Sequence, residues 1–150
     1  MIEKYPDGDI WRLTDNDPDS QYYGKSFKFS FENIFSEEIK NVMKCYVYGN
    51  YITQNKTLNS LHLELSRFTR FNNYAHKSNI SSFKDLTNFQ ICMFVSFLNT
   101  DISDKTGKKL SYTCRKKSLD SLKSVIHWCQ LHKPESVPQN EIFSSFLVPM

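Results

Sequence analysis

Apolar residues recur at helical spacing in four stretches of the chain, separated by polar segments. In the first, Ile39, Val42, Met43, Tyr46 and Val47 follow Ser36, a good N-cap residue, and the paired acids Glu37 and Glu38. That pattern predicts a helix from Ser36 to between Gly49 and Thr53, with its acids at the end the helix dipole favours. The second stretch is the longest. Leu58, Leu61, Leu65, Phe68 and Ala75, widened by Phe71 and Tyr74, predict one continuous helix capped by Thr57. Its opposite face carries Asn59, Ser60, Arg67 and Arg70. In the third, Thr87 and Gln90 fit a capping box ahead of Ile91, Cys92, Val95 and Leu98. In the fourth, Ser111 caps a stripe of Leu119, Leu122, Val125, Ile126 and Cys129, and Pro134 stops it.

The remaining segments read differently. Residues 1–35 are rich in turn signals (DGD, DNDPDS, YYG), and FKFSF at 27–31 alternates apolar and polar like a short strand or extended arm. This leader is expected to lay Trp11, Phe27, Phe29 and Phe31 onto the body while its acids face water. EIFSSF at 141–146 reads as a final short element or a linker. The expected fold class is all-α: a compact four-helix bundle with an extended N-terminal arm. The expected divisions are an arm at 1–35, a helical domain at 36–133 and a linker at 134–150.

Composition narrows the possibilities. A hydrophobic share of 39% and nine Gly and Pro residues in 150 positions describe a chain that folds, at a length suited to one domain with an appendage. The apolar run from Ile91 to Leu98 is already broken by Ser96, far short of the roughly 20 residues that cross a bilayer. The opening MIEKYPDGDIWRL has acids and a proline where a signal peptide has a basic flank and an apolar stretch, so a cytoplasmic location is expected. Cys45, Cys92, Cys114 and Cys129 form no CxxC pair and read as reduced thiols, three of them at or near apolar helix faces. His127, Cys129 and His132 are close in sequence, but His127 points away from the face the other two share, so no metal is expected. With no G-x-S-x-G, Gly-rich phosphate loop or H-E-x-x-H, neither an independent enzyme nor a small-molecule substrate or cofactor is expected.

Charge changes the picture more. Residues 1–38 hold nine acids against four bases, a net −5; residues 39–150 hold fifteen bases against seven acids, a net +8. A basic body suggests an anionic partner. Lysines and one arginine run from Lys105 through Lys108 and Lys109 to Arg115, Lys116 and Lys117, interleaved with Ser111, Tyr112 and Thr113. Cations in the first turn of a helix are disfavoured by about 0.3–1 kcal/mol, a mismatch relieved when a phosphate meets the free backbone N–H groups there. The second helix repeats the recipe with Gln54, Asn55, Lys56 and Thr57, then Asn59 and Ser60. The two helix beginnings are expected to lie side by side and straddle a duplex, with phosphate contacts setting register and amide and guanidinium groups reaching base edges.

Three blocks carry a family likeness: QNKTLNSLHLELSRFTRFNNYA, SSFKDLTNFQICMFVSFL and LSYTCRKKSLDSLKSVIHWC. Thr57 with Leu65, Phe68 and Phe71, Leu86–Thr87 with Ile91 and Phe97–Leu98, and Leu110–Ser111 with Thr113, Leu119, Leu122, Val125, Ile126 and Trp128 supply its spacing. Over residues 36–133 the chain resembles the N-terminal core-binding domain of phage integrase-type tyrosine recombinases, and its leader looks closest to the transposon-encoded members. The resemblance implies a four-helix, SAM-like bundle forming half of a clamp on double-stranded DNA. It points to Lys56, Thr57, Asn59, Ser60, Arg67, Lys109, Ser111, Tyr112, Arg115 and Lys116 as DNA contacts, and to the first helix as the element that packs on a neighbouring copy. The exit PESVPQNEIF departs from the family pattern, its Asn and Pro being separated. The family's catalytic HxxR is missing, since Arg12, Arg67, Arg70 and Arg115 never follow a His by three, and the sequence ends where the catalytic half normally begins. No catalysis is therefore expected of this chain alone. The competing expectation is a helical protein–protein interaction module whose basic face only solubilises it.

Overall fold

The computed structural model describes residues 5–103 and 105–143. Two strands, β1 (Ile10–Thr14) and β2 (Ser26–Ser30), precede five helices: α1 (Glu37–Thr53), α2 (Leu58–Arg67), α3 (Thr69–Lys77), α4 (Asn88–Thr100) and α5 (Tyr112–His132). Each predicted cap is in place. The hydroxyl oxygens of Ser36, Thr57, Thr87 and Ser111 accept the backbone N–H of Ile39, Ser60, Gln90 and Cys114 at 3.1–3.2 Å. At Thr87 only half of the capping box forms, because the Gln90 amide oxygen accepts the Tyr74 hydroxyl at 2.7 Å and does not turn back to the cap.

The second predicted helix is two helices. The chain bends at Phe68, with no Gly or Pro to cause it. Tertiary contacts set the new direction: Phe68 and Phe71 pack on Phe83, and Asn72 grips the segment before α1. Its amide donates to the Asn33 carbonyl at 2.9 Å and its oxygen accepts the Phe35 N–H at 3.2 Å.

The fold is mostly helical but not all-α. β1 and β2 form an antiparallel hairpin in which Trp11 faces Phe29, Arg12 faces Lys28 and Leu13 faces Phe27. Alternation buries Trp11, Leu13, Phe27 and Phe29 on one side, and Phe27 and Phe29 each set their rings beside His62 of α2. The leader's acids do not all face water. Asp9 bridges Lys40 at 2.9 Å and Lys44 at 2.7 Å, both otherwise buried lysines of α1. Asp15 is itself buried, accepting the Asp17 N–H and the Ser20 hydroxyl to brace the loop between the strands.

One hydrophobic core runs from Trp11 through the helices to Val137, Ile142 and Phe143. It is continuous across the expected divisions at 36 and 133. Residues 134–143 pack on the body, where Asn88 donates to the Ile142 carbonyl at 3.0 Å and Gln130 to the Pro138 carbonyl at 2.8 Å. The last part of the expected linker, and of the EIFSSF element, lies outside the described residues. Among the described residues no helix is long and apolar enough to cross a membrane.

Candidate nucleic-acid interface

α2 and α5 run antiparallel. The Ser121 hydroxyl donates to the Glu64 carbonyl at 2.9 Å, while Lys56, just before α2, shares a groove with Ser124, His127 and Trp128 of α5. Ser124 lies thirteen positions beyond Ser111, roughly 20 Å along a helix at 1.5 Å per residue. The start of α5 meets other elements: Leu110 N–H bonds to the Asp101 carbonyl, and Arg70 of α3 bridges the Asp101 carboxylate at 3.1 Å. The beginnings of α2 and α5 are therefore at opposite ends of the pair. The expectation that they lie side by side is overturned: the start of α2 meets the second half of α5, while the start of α5 packs near Asp101 and Arg70.

The surroundings of the two beginnings also differ. At α2, Lys56 folds back onto Glu64 at 3.0 Å, and the other Glu64 oxygen accepts the Tyr46 hydroxyl at 2.7 Å. Burial and the Glu64 charge raise the Tyr46 phenol well above its ordinary value. Lys56 and Thr57 also line a cleft of about 260 Å³ whose far wall is the leader loop, with Asp15 and Asp17. An approaching phosphate meets carboxylates there. Thr57 and Ser60 spend their hydroxyls on each other at 2.9 Å, and Asn59 is half-buried. Arg67 is half-buried near the bend and has no ion-pair partner among the described residues.

At α5 the approach is open. Residues 102–103 and 105–109 form a tight hairpin: Ile102 and Lys109 make a bridge, the Ser103 N–H donates to the Lys108 carbonyl, and Gly107 turns the chain at φ +68°. The Ser103 and Thr106 hydroxyls accept the backbone N–H groups of Lys105 and Lys108, fixing the tip. Buried Leu110 anchors its base. Lys105, Lys108 and Lys109 project into solvent, and Lys117 is exposed one helical stretch further on. Arg115 donates to the Asn99 side chain at 2.9 Å and lies over the Tyr112 ring, so it is positioned against α4. Lys116 pairs with Asp120 at 2.9 Å on the exposed surface. Over 101–117 the sequence holds six bases and two acids, a net +4, and one of those acids, Asp101, is already bridged by Arg70.

Of the expected contacts, Lys109, Ser111, Tyr112, Arg115 and Lys116 are thus brought together at one end. Lys56, Thr57, Asn59 and Ser60 are gathered at the other, and Arg67 joins neither group. Lys105, Lys108 and Lys117 belong with the α5 set, and their signal was present in the sequence as one uninterrupted basic run. The roles of Asn99 and Arg70 had no local signal. The exposed positions of the first helix, the element expected to pack on a neighbouring copy, are Glu37, Glu38, Asn41, Ile52 and Thr53.

All four cysteines are free thiols, and burial pushes Cys129 up to about 12. No group of three or more His, Cys, Asp or Glu residues among those described is arranged to hold a metal ion. No family model matches the chain, and no match was found among the curated proteins or the solved structures.

Proposed function

We propose that the chain binds double-stranded DNA through the basic end formed by the 102–109 hairpin and the first turns of α5, acting as the N-terminal clamp half of a tyrosine recombinase or transposase. The observation that supports this reading is the outward presentation of Lys105, Lys108 and Lys109 beside a capped helix start, with Asp101 and Asp120 there already paired to Arg70 and Lys116. Phosphates supply the affinity there. Ser111, Tyr112 and Arg115 set the angle of approach, and α2's Asn59 and Ser60 lie outside this grip. On this reading the chain positions DNA and strand chemistry belongs to a catalytic half.

Titration of a labelled duplex at increasing salt tests the proposal. Affinity should fall by about 0.9 log units per log salt for each phosphate contacted. Lys105→Glu/Lys108→Glu/Lys109→Glu should cut affinity by orders of magnitude and flatten the slope by about 2.7 (three contacts at 0.9 each), whereas Lys56→Glu should leave the slope as it was. A triple variant with an unaltered slope sinks this assignment.

A second reading, a protein-interaction module, is favoured by one observation. Phe89 and Met93 on α4, and Leu131 on α5, are large apolar side chains at 66%, 43% and 81% exposure. Leu131 and Trp128 face the exposed last turn of α1 across a groove, and on this reading a neighbouring copy docks there. Leu131→Glu then abolishes self-association seen by sedimentation, with no dependence on salt.

A further inference from the structure

The outward face of the β1–β2 hairpin carries an arrangement that the helical body does not explain. Arg12 and Lys28 sit directly opposite each other in the strand register, and both are exposed. Like charges at directly opposed positions destabilise a hairpin. Here nothing offsets them: neither cation has an ion pair or side-chain hydrogen bond among the described residues. Several other cations of the chain are paired, as at Lys40 and Lys44 with Asp9, Lys56 with Glu64, Arg70 with Asp101 and Lys116 with Asp120.

The neighbours on that face are hydroxyls. Thr14 Oγ1 and Ser26 Oγ lie 3.0 Å apart on one side of the charged pair. On the other side are Ile10 and Ser30, the latter donating to Glu32 at 3.3 Å. The leader is acidic in sum, and the Glu32 carboxylate lies at the Ser30 end of this face, but four of its other acids are turned elsewhere. Asp9 is engaged by α1, Asp15 is buried, and Asp17 and Asp19 lie in the loop beyond the strand ends. A two-stranded ribbon with paired cations and flanking hydroxyls is complementary to a phosphodiester backbone, and such a ribbon is narrow enough to enter a major groove.

From this we infer that the hairpin's Arg12–Lys28 face is a second nucleic-acid surface, which makes the molecule a bridge between two duplexes. The hairpin buries its other face on α2 through Phe27, Phe29 and His62, and α2 in turn packs on α5 through Glu64 and Ser121. Its cationic face therefore looks away from the helices that hold the α5 site. The bridging rests on the α5 site proposed above, whereas binding by the hairpin face does not.

A bridging assay on the full chain tests it: an immobilised duplex, the protein, and capture of a second, fluorescent duplex. Lys28→Glu is the informative variant, because it sets opposite charges across the register and so keeps or raises the melting temperature. Wild type should capture the second duplex; Lys28→Glu should lose capture yet still bind a single duplex through the α5 end. The Lys105/Lys108/Lys109 variant should lose capture as well, with residual single-duplex binding that disappears when Lys28→Glu is added. If Lys28→Glu captures as wild type does, or wild type captures nothing, the hairpin assignment is overturned while the α5 assignment stands on its own titration. If the Lys28-sensitive face binds phosphatidylserine vesicles and not duplex, a membrane replaces nucleic acid as its partner. An unaffected salt slope in the triple variant, with Lys28→Glu still losing binding, removes the α5 site and leaves the hairpin.

Discussion

Thr57 and Ser111 begin their helices with the same ingredients: a hydroxyl cap, a lysine within two positions before it and polar residues one turn in. Their caps are equivalent, accepting from the third residue on at 3.1 Å in each case. What differs is the placement of acids. Glu64 stands two turns along α2, half-buried against Tyr46, and draws Lys56 inward; the leader loop then sets Asp15 and Asp17 across a cleft from Lys56 and Thr57. Around Ser111 the carboxylates of Asp101 and Asp120 are engaged by Arg70 and Lys116, and the lysines of the preceding hairpin are left pointing outward. A local recipe fixes a helix start. Whether that start attracts an anion depends on partners distant in sequence.

That contrast can be broken at several points. Glu64→Ala should have the largest effect on stability, about 2–3 kcal/mol, since it strands a charged and a phenolic partner. Chemical denaturation measures it, and duplex affinity of the folded fraction should not change. No stability difference would mean that Lys56 and Tyr46 find water as readily as they found the carboxylate. Next come the caps. Thr57→Ala and Ser111→Ala should each cost about 1 kcal/mol in melting experiments, while only the Ser111 change disturbs duplex binding, through the first turn of α5. Equal effects on binding would restore α2 to the interface.

The smallest effect concerns pH. Hydrogen bonds from Lys44 and then Lys40 hold the Asp9 carboxyl below its ordinary value of 3.8. Its folded value is thus lower than its unfolded one, so the stabilisation is complete above the unfolded value and fades as pH falls through the lower, folded one. Between neutral pH and about 5 the contribution should be flat. Asp9→Asn should melt at a lower temperature at neutral pH and show a shallower loss on acidification; an identical acid limb would place that titration elsewhere.

What was legible in the sequence was local. The four caps and most of the core stripes needed only residues a few positions apart; every cap is found where the pattern put it, and of the stripe residues Cys92 alone stays out of the core. FKFSF read as a short strand or extended arm by its alternation, but its partner IWRLT did not, since five residues with a charge and a hydroxyl among apolar ones resemble many loops. The bend at Phe68 left no trace because Asn72 and Phe83, which impose it, act from outside the helix. The basic run at 105–117 was visible as charge. The inward turn of Lys56 was not, for it depends on Glu64 and Tyr46 meeting across two helices. Asp15 was misassigned to water for the same reason: its partners are loop N–H and hydroxyl groups that only the folded turn supplies.

The continuity of the core from Trp11 to Phe143 has a practical consequence for anyone wishing to trim this protein. A version starting at residue 36 would lay bare the side of α1 and α2 that Trp11, Phe27, Phe29 and Phe31 now shelter, and would leave Lys40 and Lys44 without their counter-ion. One stopping at 133 would uncover the surface beneath Val137, Ile142 and Phe143. The shortest piece able to fold by itself is therefore longer than its helices, and hairpin, bundle and C-terminal wrap should unfold together in a single cooperative step.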